Sequence, residues 1–164
     1  MSDDGQEVEL VLPPAFDDWY RQEWPRVVAL VRTVTLDLPA AEDIAASAFY
    51  KAFARYSRLS NPSGWVRTVA LNAAKRHRRP SARLDATGDQ VDPSAEQDLH
   101  LHQAIDLLSG LTPNQRAIVA LRYVYDLTQA QIADELSLAP GTVAAVLSTS
   151  RRKLHRQISE EALK

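Results

Sequence analysis

The 164-residue chain contains no cysteine. That excludes a disulfide framework, a thiolate metal site and a cysteine nucleophile. Glycine is scarce, at five residues, and aromatics make up only 7%. A β-sandwich or barrel draws on both, whereas the abundant alanine favours helix. No apolar run approaches the roughly 20 residues that cross a bilayer. The acidic opening MSDDGQEVEL has neither the basic start nor the apolar centre of a signal peptide. No membrane insertion and a cytoplasmic location are therefore expected. No glycine loop able to cradle phosphate is present. His100 and His102, two apart on a helix, point to different sides and would chelate poorly, and with His77 and His155 they form no catalytic order. Neither catalysis nor a cofactor or metal is expected.

The charge that is present is unevenly placed. The formal net charge is −2. Residues 1–13 carry four acids and no base, and residues 14–80 carry eleven Lys/Arg against six Asp/Glu. Residues 81–99 carry five acids against Arg83, and residues 100–164 carry seven bases against six acids. Two neutral-to-basic blocks flanking an acidic spacer suggest a polyanion partner for the first block. Net charge alone fits a solvated face equally well.

Apolar periodicity gives helices throughout. Phe16, Tyr20, Trp24, Val27, Val28, Val31 and Val34 step by threes and fours, with Pro25 expected to bend or split that helix. A second helix runs from Pro39 to about Arg55, with Ile44, Ala48, Phe49, Ala52 and Phe53 on one face. Asn61-Pro62 reads as an N-cap followed by a first-turn proline. The third helix continues to about Arg79, buried through Trp65, Val66, Val69 and Leu71 or Ala73. The stretch PSARLDATGDQVDP over 80–93 is a linker long enough for two modules to move independently. The second block opens with a helix over 94–109, closed by Gly110. Thr112-Pro113-Asn114-Gln115 and Thr128-Gln129-Ala130-Gln131 are two capping boxes. The fold class is thus all-α: two small helical bundles over 14–79 and 94–160, joined by a flexible linker.

Thr128–Leu154 has the spacing of a DNA-binding helix-turn-helix. A short capped helix, a tight turn at Ser137-Leu138-Ala139 and a longer helix from Pro140 let the second helix enter a major groove roughly 12 Å wide. Ala133 is the small residue where the helices meet, and Ile132, Leu136, Leu138, Val143 and Leu147 are the expected inner core. Arg151, Arg152, Lys153 and Arg156 are available for phosphates. A helical hairpin inside a bundle shows much of the same pattern.

LTPNQRAIVALRYVYDLTQAQIADELSLAPGTVAAVLSTSRRKL resembles region 4, the promoter-binding domain of extracytoplasmic-function sigma factors. FDDWYRQEWPRVVALVRTVTLDLPAAEDIAASAFYKAFARYSRLSNPSGWVRTVALNAAKRHRR resembles their region 2. The two resemblances occur in the family's order over about residues 15–159, with a linker between, as in the small two-domain members common in actinobacteria. They imply a subunit that directs RNA polymerase to promoters. Region 2 would bind the clamp helices of the largest polymerase subunit through Glu42, Asp43, Ala46, Ser47 and Lys51. The family usually has Gln-Glu where this chain has Ala46 and Ser47. Glu42 and Asp43 equally suit the first turn of a helix, at ~0.3–1 kcal/mol each.

The loop from Arg58 to Gly64 and the third helix match the part that holds a flipped −10 base and the single strand. Arg58, Asn61, Asn72, Lys75, Arg76, Arg78 and Arg79 are the candidates. Trp65 reads as core rather than a stacking platform, and His77 as solvated or phosphate-facing. In region 4 the −35 element would meet Thr128, Gln129, Pro140, Gly141, Thr142, Ala144, Ala145, Ser148, Arg151, Arg152 and Lys153. The family's reading positions commonly hold Lys or Arg. Pro140, Gly141, Ala144 and Ala145 cannot make the bidentate contact to guanine, so readout would fall to thymine methyls, hydroxyls and DNA shape. Affinity would rest on Arg122, Arg151, Arg152 and Lys153 at phosphates. An anti-sigma partner clamped between the domains is also implied. The Ala46-Ser47 and Ala144-Ala145 departures motivate a second reading, a sigma-like interaction module that binds a regulator rather than DNA.

Overall fold

The computed structural model describes residues 14–77 and 103–163. Among them are helices and connecting turns, with no strand. The first block has α1 (Pro14–Thr35), α2 (Leu38–Phe53), a 3₁₀ turn (Tyr56–Arg58) and α3 (Pro62–Arg76). The second has a helical stretch over 103–109, here α4, then α5 (Pro113–Tyr123), α6 (Gln129–Leu136) and α7 (Pro140–Glu161). The expected linker over 80–93, its boundaries with the two blocks and the start of the helix at 94 lie outside the described residues.

Local chemistry sets the helix starts. The Asp37 carboxylate accepts from the Ala40 N–H and opens α2, after a sharp turn in which Leu36 is left-handed (φ 57°). Asn61 opens α3 by accepting from the Gly64 N–H at 2.9 Å. Thr112 and Thr128 each form a reciprocal capping box with the glutamine three residues on. Pro25 does not split α1, which runs unbroken across it. Pro25 and Arg21 face solvent, where a missing backbone hydrogen bond is replaced by water, and Phe16, Val27, Leu30 and Val31 hold the helix from its buried side. Helix α3 stops at Arg76, short of the expected Arg79.

The core is continuous across both blocks. Val27, Leu30, Val31 and Val34 of α1, Phe49 and Ala52 of α2, and Val66 and Leu71 of α3 share one buried cluster with Ile118 and Leu121 of α5 and Ile132 of α6. Phe16, Trp19, Tyr20, Trp24 and Phe49 add a run of ring contacts with centroids 5.0–6.2 Å apart. The two blocks are docked in this structure, with α5 packed on α1 and α6 touching α3.

Candidate nucleic-acid and polymerase interfaces

Helices α6 and α7 form the expected helix-turn-helix. Ser137 ends α6 in the left-handed conformation (φ 54°), and the Leu138 N–H donates back to the Ala133 carbonyl at 2.8 Å, closing the turn. Ile132, Ala133, Val143 and Leu147 are buried between the helices, as expected for the inner face. Leu138 is not. At 38% exposed it rides on the turn, because the left-handed residue before it turns the chain away from the core.

The outer face of α7 is open. Pro140, Gly141, Thr142, Ala145 and Ser148 are exposed, and Ala144 is half-buried. A Cβ built on Gly141 would meet nothing within 4 Å. Thr128 and Gln129 are exposed at the start of α6. The four basic residues of α7 do not act as one group. Thr149, Arg152, Lys153 and Arg156 line one shallow cleft, continuing the stripe of Thr142, Ala145 and Ser148 by steps of three and four. Arg151 lies on the other flank, beside an apolar groove with Val119, Tyr123, Leu154 and Ile158. Lys153 Nζ also reaches Gln115 Oε1 at 3.4 Å. Arg122, expected at phosphates, has a partner within its own block, Asp126 at 2.7 Å.

In the first block, Arg58, Asn61, Asn72 and Arg76 are exposed along the 3₁₀ turn, the loop and α3. Asn61 uses its side-chain oxygen as the cap of α3. A Cβ at position 64 would lie 2.6 Å from the Asn61 amide nitrogen, so a larger residue there would push the capping side chain aside. Lys75 is half-buried, and burial pushes its ammonium below the usual lysine range. Arg78 and Arg79 lie outside the described residues. Trp65 is half-buried against the core, with the Arg55 guanidinium 5.7 Å from its ring centre. His77 is half-buried rather than freely solvated: its backbone N–H caps α3 and its buried Nε2 lies 3.5 Å from Asp37 Oδ2.

On α2, Glu42, Asp43, Ala46, Ser47 and Lys51 form one exposed surface. Tyr50, absent from the sequence-based candidates, stands on it 78% exposed. The signal was present: Tyr50 falls outside the apolar stripe that buries Ala45, Ala48, Phe49 and Ala52.

A polar cluster joining the two blocks has no counterpart in the sequence reading. Arg67 of α3 makes a two-pronged pair with Glu135 of α6: Nε to Oε1 at 2.9 Å and Nη2 to Oε2 at 2.8 Å. Arg67 is only 8% exposed. Burial opposes its charge, but the hydrogen bond and charge of Glu135 outweigh that and hold it above the usual arginine value. Tyr125, just past α5, packs its ring 4.3 Å from the Arg26 guanidinium and 4.7 Å from that of Arg67. Its hydroxyl donates to Glu23 at 3.4 Å, and Ser63 donates to the same carboxylate at 3.1 Å. Arg116 of α5 donates to the Val34 carbonyl in the last turn of α1 at 2.9 Å. These partners are up to 102 residues apart, so no local spacing announces them.

The chain matches two family descriptions in tandem: "Sigma-70 region 2" over residues 19–84 and "Sigma-70, region 4" over residues 101–154. It is 31% identical over 149 residues to the "Probable RNA polymerase sigma factor RfaY" of Xanthomonas campestris, covering 80% of this chain but only 37% of that protein. It is 24% identical to the RNA polymerase sigma-E factor of Streptomyces avermitilis, covering 90% of this chain and 87% of the other. Among solved structures it shares its fold with CnrH, determined in complex with the cytosolic domain of CnrY, at a TM-score of 0.69, 18% identity and coverage of 89% and 88%. The chain belongs to the sigma-70 family of RNA polymerase sigma factors, in its two-domain extracytoplasmic-function branch, whose members direct the polymerase to promoters.

Proposed function

We propose that this chain directs promoter-specific transcription initiation by holding two segments of one promoter while docked on core RNA polymerase. The exposed face of α2 meets the polymerase clamp helices. The loop from Arg58 to Gly64 and α3 take the unpaired −10 strand. Helix α7 enters the major groove at the −35 element. The chain supplies recognition, with no reacting group of its own, and works in the cytoplasm with the polymerase. An anti-sigma protein is an expected regulator, in the manner of CnrH in complex with CnrY.

The observation that carries this reading is α7. Its inner face is sealed by Val143 and Leu147, while its outer face is uncovered from Pro140 to Ser148 and leads directly into Arg152 and Arg156. A helix serving only to complete a bundle has no need of such a face. The test is reconstitution of the purified chain with core polymerase and run-off transcription on fragmented host DNA. The expected result is a set of transcripts whose start sites share a two-part upstream motif. Absence of both a polymerase complex and any transcript would overturn the reading. The small residues at Ala46, Ser47, Ala144 and Ala145 keep a second reading alive, that of a regulator-binding module. The same assay separates them, since such a module would bind its regulator and yield no transcript.

A further inference from the structure

We propose that Trp19 is a clasp on both ends of the loop from Arg58 to Gly64, and that it sets how sharply this loop discriminates the base it takes. The inference rests on the reading of that loop as the site of a −10 base. Ala15, Trp19 and Glu23 are four residues apart and form one row along the start of α1. Each member of the row meets the chain on one side of the loop or the other. Before the loop, the Tyr56 hydroxyl donates to the Ala15 carbonyl at 3.2 Å, and the Tyr56 ring packs on Trp19 with centroids 5.2 Å apart. After the loop, Trp19 Nε1 donates to Ser63 Oγ at 2.9 Å, and Ser63 Oγ donates in turn to Glu23 Oε1 at 3.1 Å. Trp19 therefore touches the 3₁₀ turn with its ring and the first turn of α3 with its N–H.

Two features suit this arrangement to positioning. The first is that its polar atoms are committed. The Ser63 hydroxyl has one proton, which goes to Glu23, and its lone pair takes the indole N–H. Glu23 is only 7% exposed, so its carboxylate needs protein donors, and a shift of the first turn of α3 would cost it one. The indole is fixed in turn by Phe16 and Phe49, each with its ring centre 5.3 Å away. The second feature is the open middle. Between the two held ends, Arg58, Ser60 and Asn61 are exposed. A loop with fixed ends and an exposed middle meets its ligand already ordered, so binding an unstacked base costs little further conformational freedom. That order matters more to the choice of base than to the hold on the strand. Hydrogen bonds to a base edge need donors and acceptors in fixed places, whereas contacts to phosphates carry no sequence information.

Three variants of the full chain and two measurements test the clasp. Trp19→Phe keeps a ring against Tyr56 and removes the Nε1 donor, Ser63→Ala removes both hydrogen bonds at α3, and Ser63→Thr keeps the hydroxyl. Hydrogen exchange at the Arg58 and Leu59 amides, which donate within the 3₁₀ turn, reads the loop itself in the free chain. Exchange there should be about fivefold faster in Trp19→Phe and in Ser63→Ala, the scale of one hydrogen bond, and near the parent rate in Ser63→Thr. Discrimination is read by selection from a random library of short single-stranded oligonucleotides, with each chain bound to core polymerase. The parent should enrich one base at one position. That enrichment should fall about fivefold in Trp19→Phe and return in Ser63→Thr, while the salt dependence of total retention stays unchanged. Unchanged exchange in both Trp19→Phe and Ser63→Ala would overturn the clasp and leave the reading of the loop intact. Faster exchange with undiminished enrichment, or retention that falls equally for every sequence, would reduce Trp19 to a structural brace and overturn its role in specificity. A parent that enriches no base would overturn the reading of the loop, whatever the exchange rates show.

Discussion

The division of the basic residues of α7 into two flanks gives a sharp prediction about duplex binding. Arg152 and Arg156 extend the stripe of Thr142, Ala145 and Ser148, while Arg151 turns toward the apolar groove between α5 and α7. If α7 lies in the major groove along that stripe, Arg152 and Arg156 meet phosphates and Arg151 does not. Each phosphate neutralised contributes about 0.9 to the slope of log affinity against log salt, so the Arg152→Ala/Arg156→Ala double variant should lose about 1.8 from that slope. Raising salt from about 50 to 200 mM would then weaken the parent about twelvefold more than the variant. The two side chains are exposed and make at most one weak contact, Arg152 to Thr149 at 3.5 Å, so the fold should survive their loss. Anisotropy with a labelled mixed-sequence duplex reads this slope without knowledge of the promoter. Arg151→Ala serves as the internal comparison and should change the slope by much less. An unchanged slope in the double variant, or an equal change in Arg151→Ala alone, would show that α7 does not meet DNA along this stripe.

Four further outcomes are expected. Gly141→Arg, at a site with open space around it, should keep the fold and add about 0.9 to the duplex salt slope; a lower melting temperature or no added slope would count against an open, DNA-facing start of α7. Glu42→Lys with Asp43→Lys should weaken binding to core polymerase at least about tenfold, the scale of lost interfacial charge pairs, with unchanged melting, because both residues are exposed. Thr128→Ala removes one capping box and should lower stability by about 1 kcal/mol in denaturant titration. Burial, with the nearby Glu23 carboxylate, holds the Tyr125 phenol above the usual tyrosine range. The folded chain then keeps a proton that the unfolded chain releases near pH ~10, so this stabilisation is whole below ~10 and is lost as pH rises, and Tyr125→Phe should flatten the fall in an alkaline stability profile.

The helices and their starts were readable because they are written locally. Asp37 was the one cap the sequence reading did not assign, while Asn61, Thr112 and Thr128 each carry their partner within three residues, and the stripes of α1, α2 and α7 repeat at helical spacing. The helix-turn-helix was readable for the same reason. What failed locally failed through geometry: Leu138 follows a left-handed serine, and Pro25 sits where solvent replaces the missing bond. The docking of the blocks was beyond reach. Arg67 reads as one more base on a basic helix and Glu135 as an ordinary helix acid, and only the folded chain brings them to 2.8 Å. The exposed Tyr50 was legible, since it falls outside the face of Ile44, Ala48, Phe49, Ala52 and Phe53.

The small side chains on the outer face of α7 constrain how it could select a promoter. Alanine, glycine and hydroxyl side chains reach thymine methyls and single hydrogen-bond positions, and none supplies the bidentate grip that discriminates a guanine by about 1–3 kcal/mol. Such a face selects weakly by base contact, so its selectivity must come from DNA shape and from being held at a fixed distance from a second contact. In the function proposed above, that second contact is the strand taken by α3. A chain whose two modules bound independently would gain only nonspecific affinity from Arg152 and Arg156 and would spread over bulk DNA. Weak base readout at one end is therefore tolerable only if the two ends bind together.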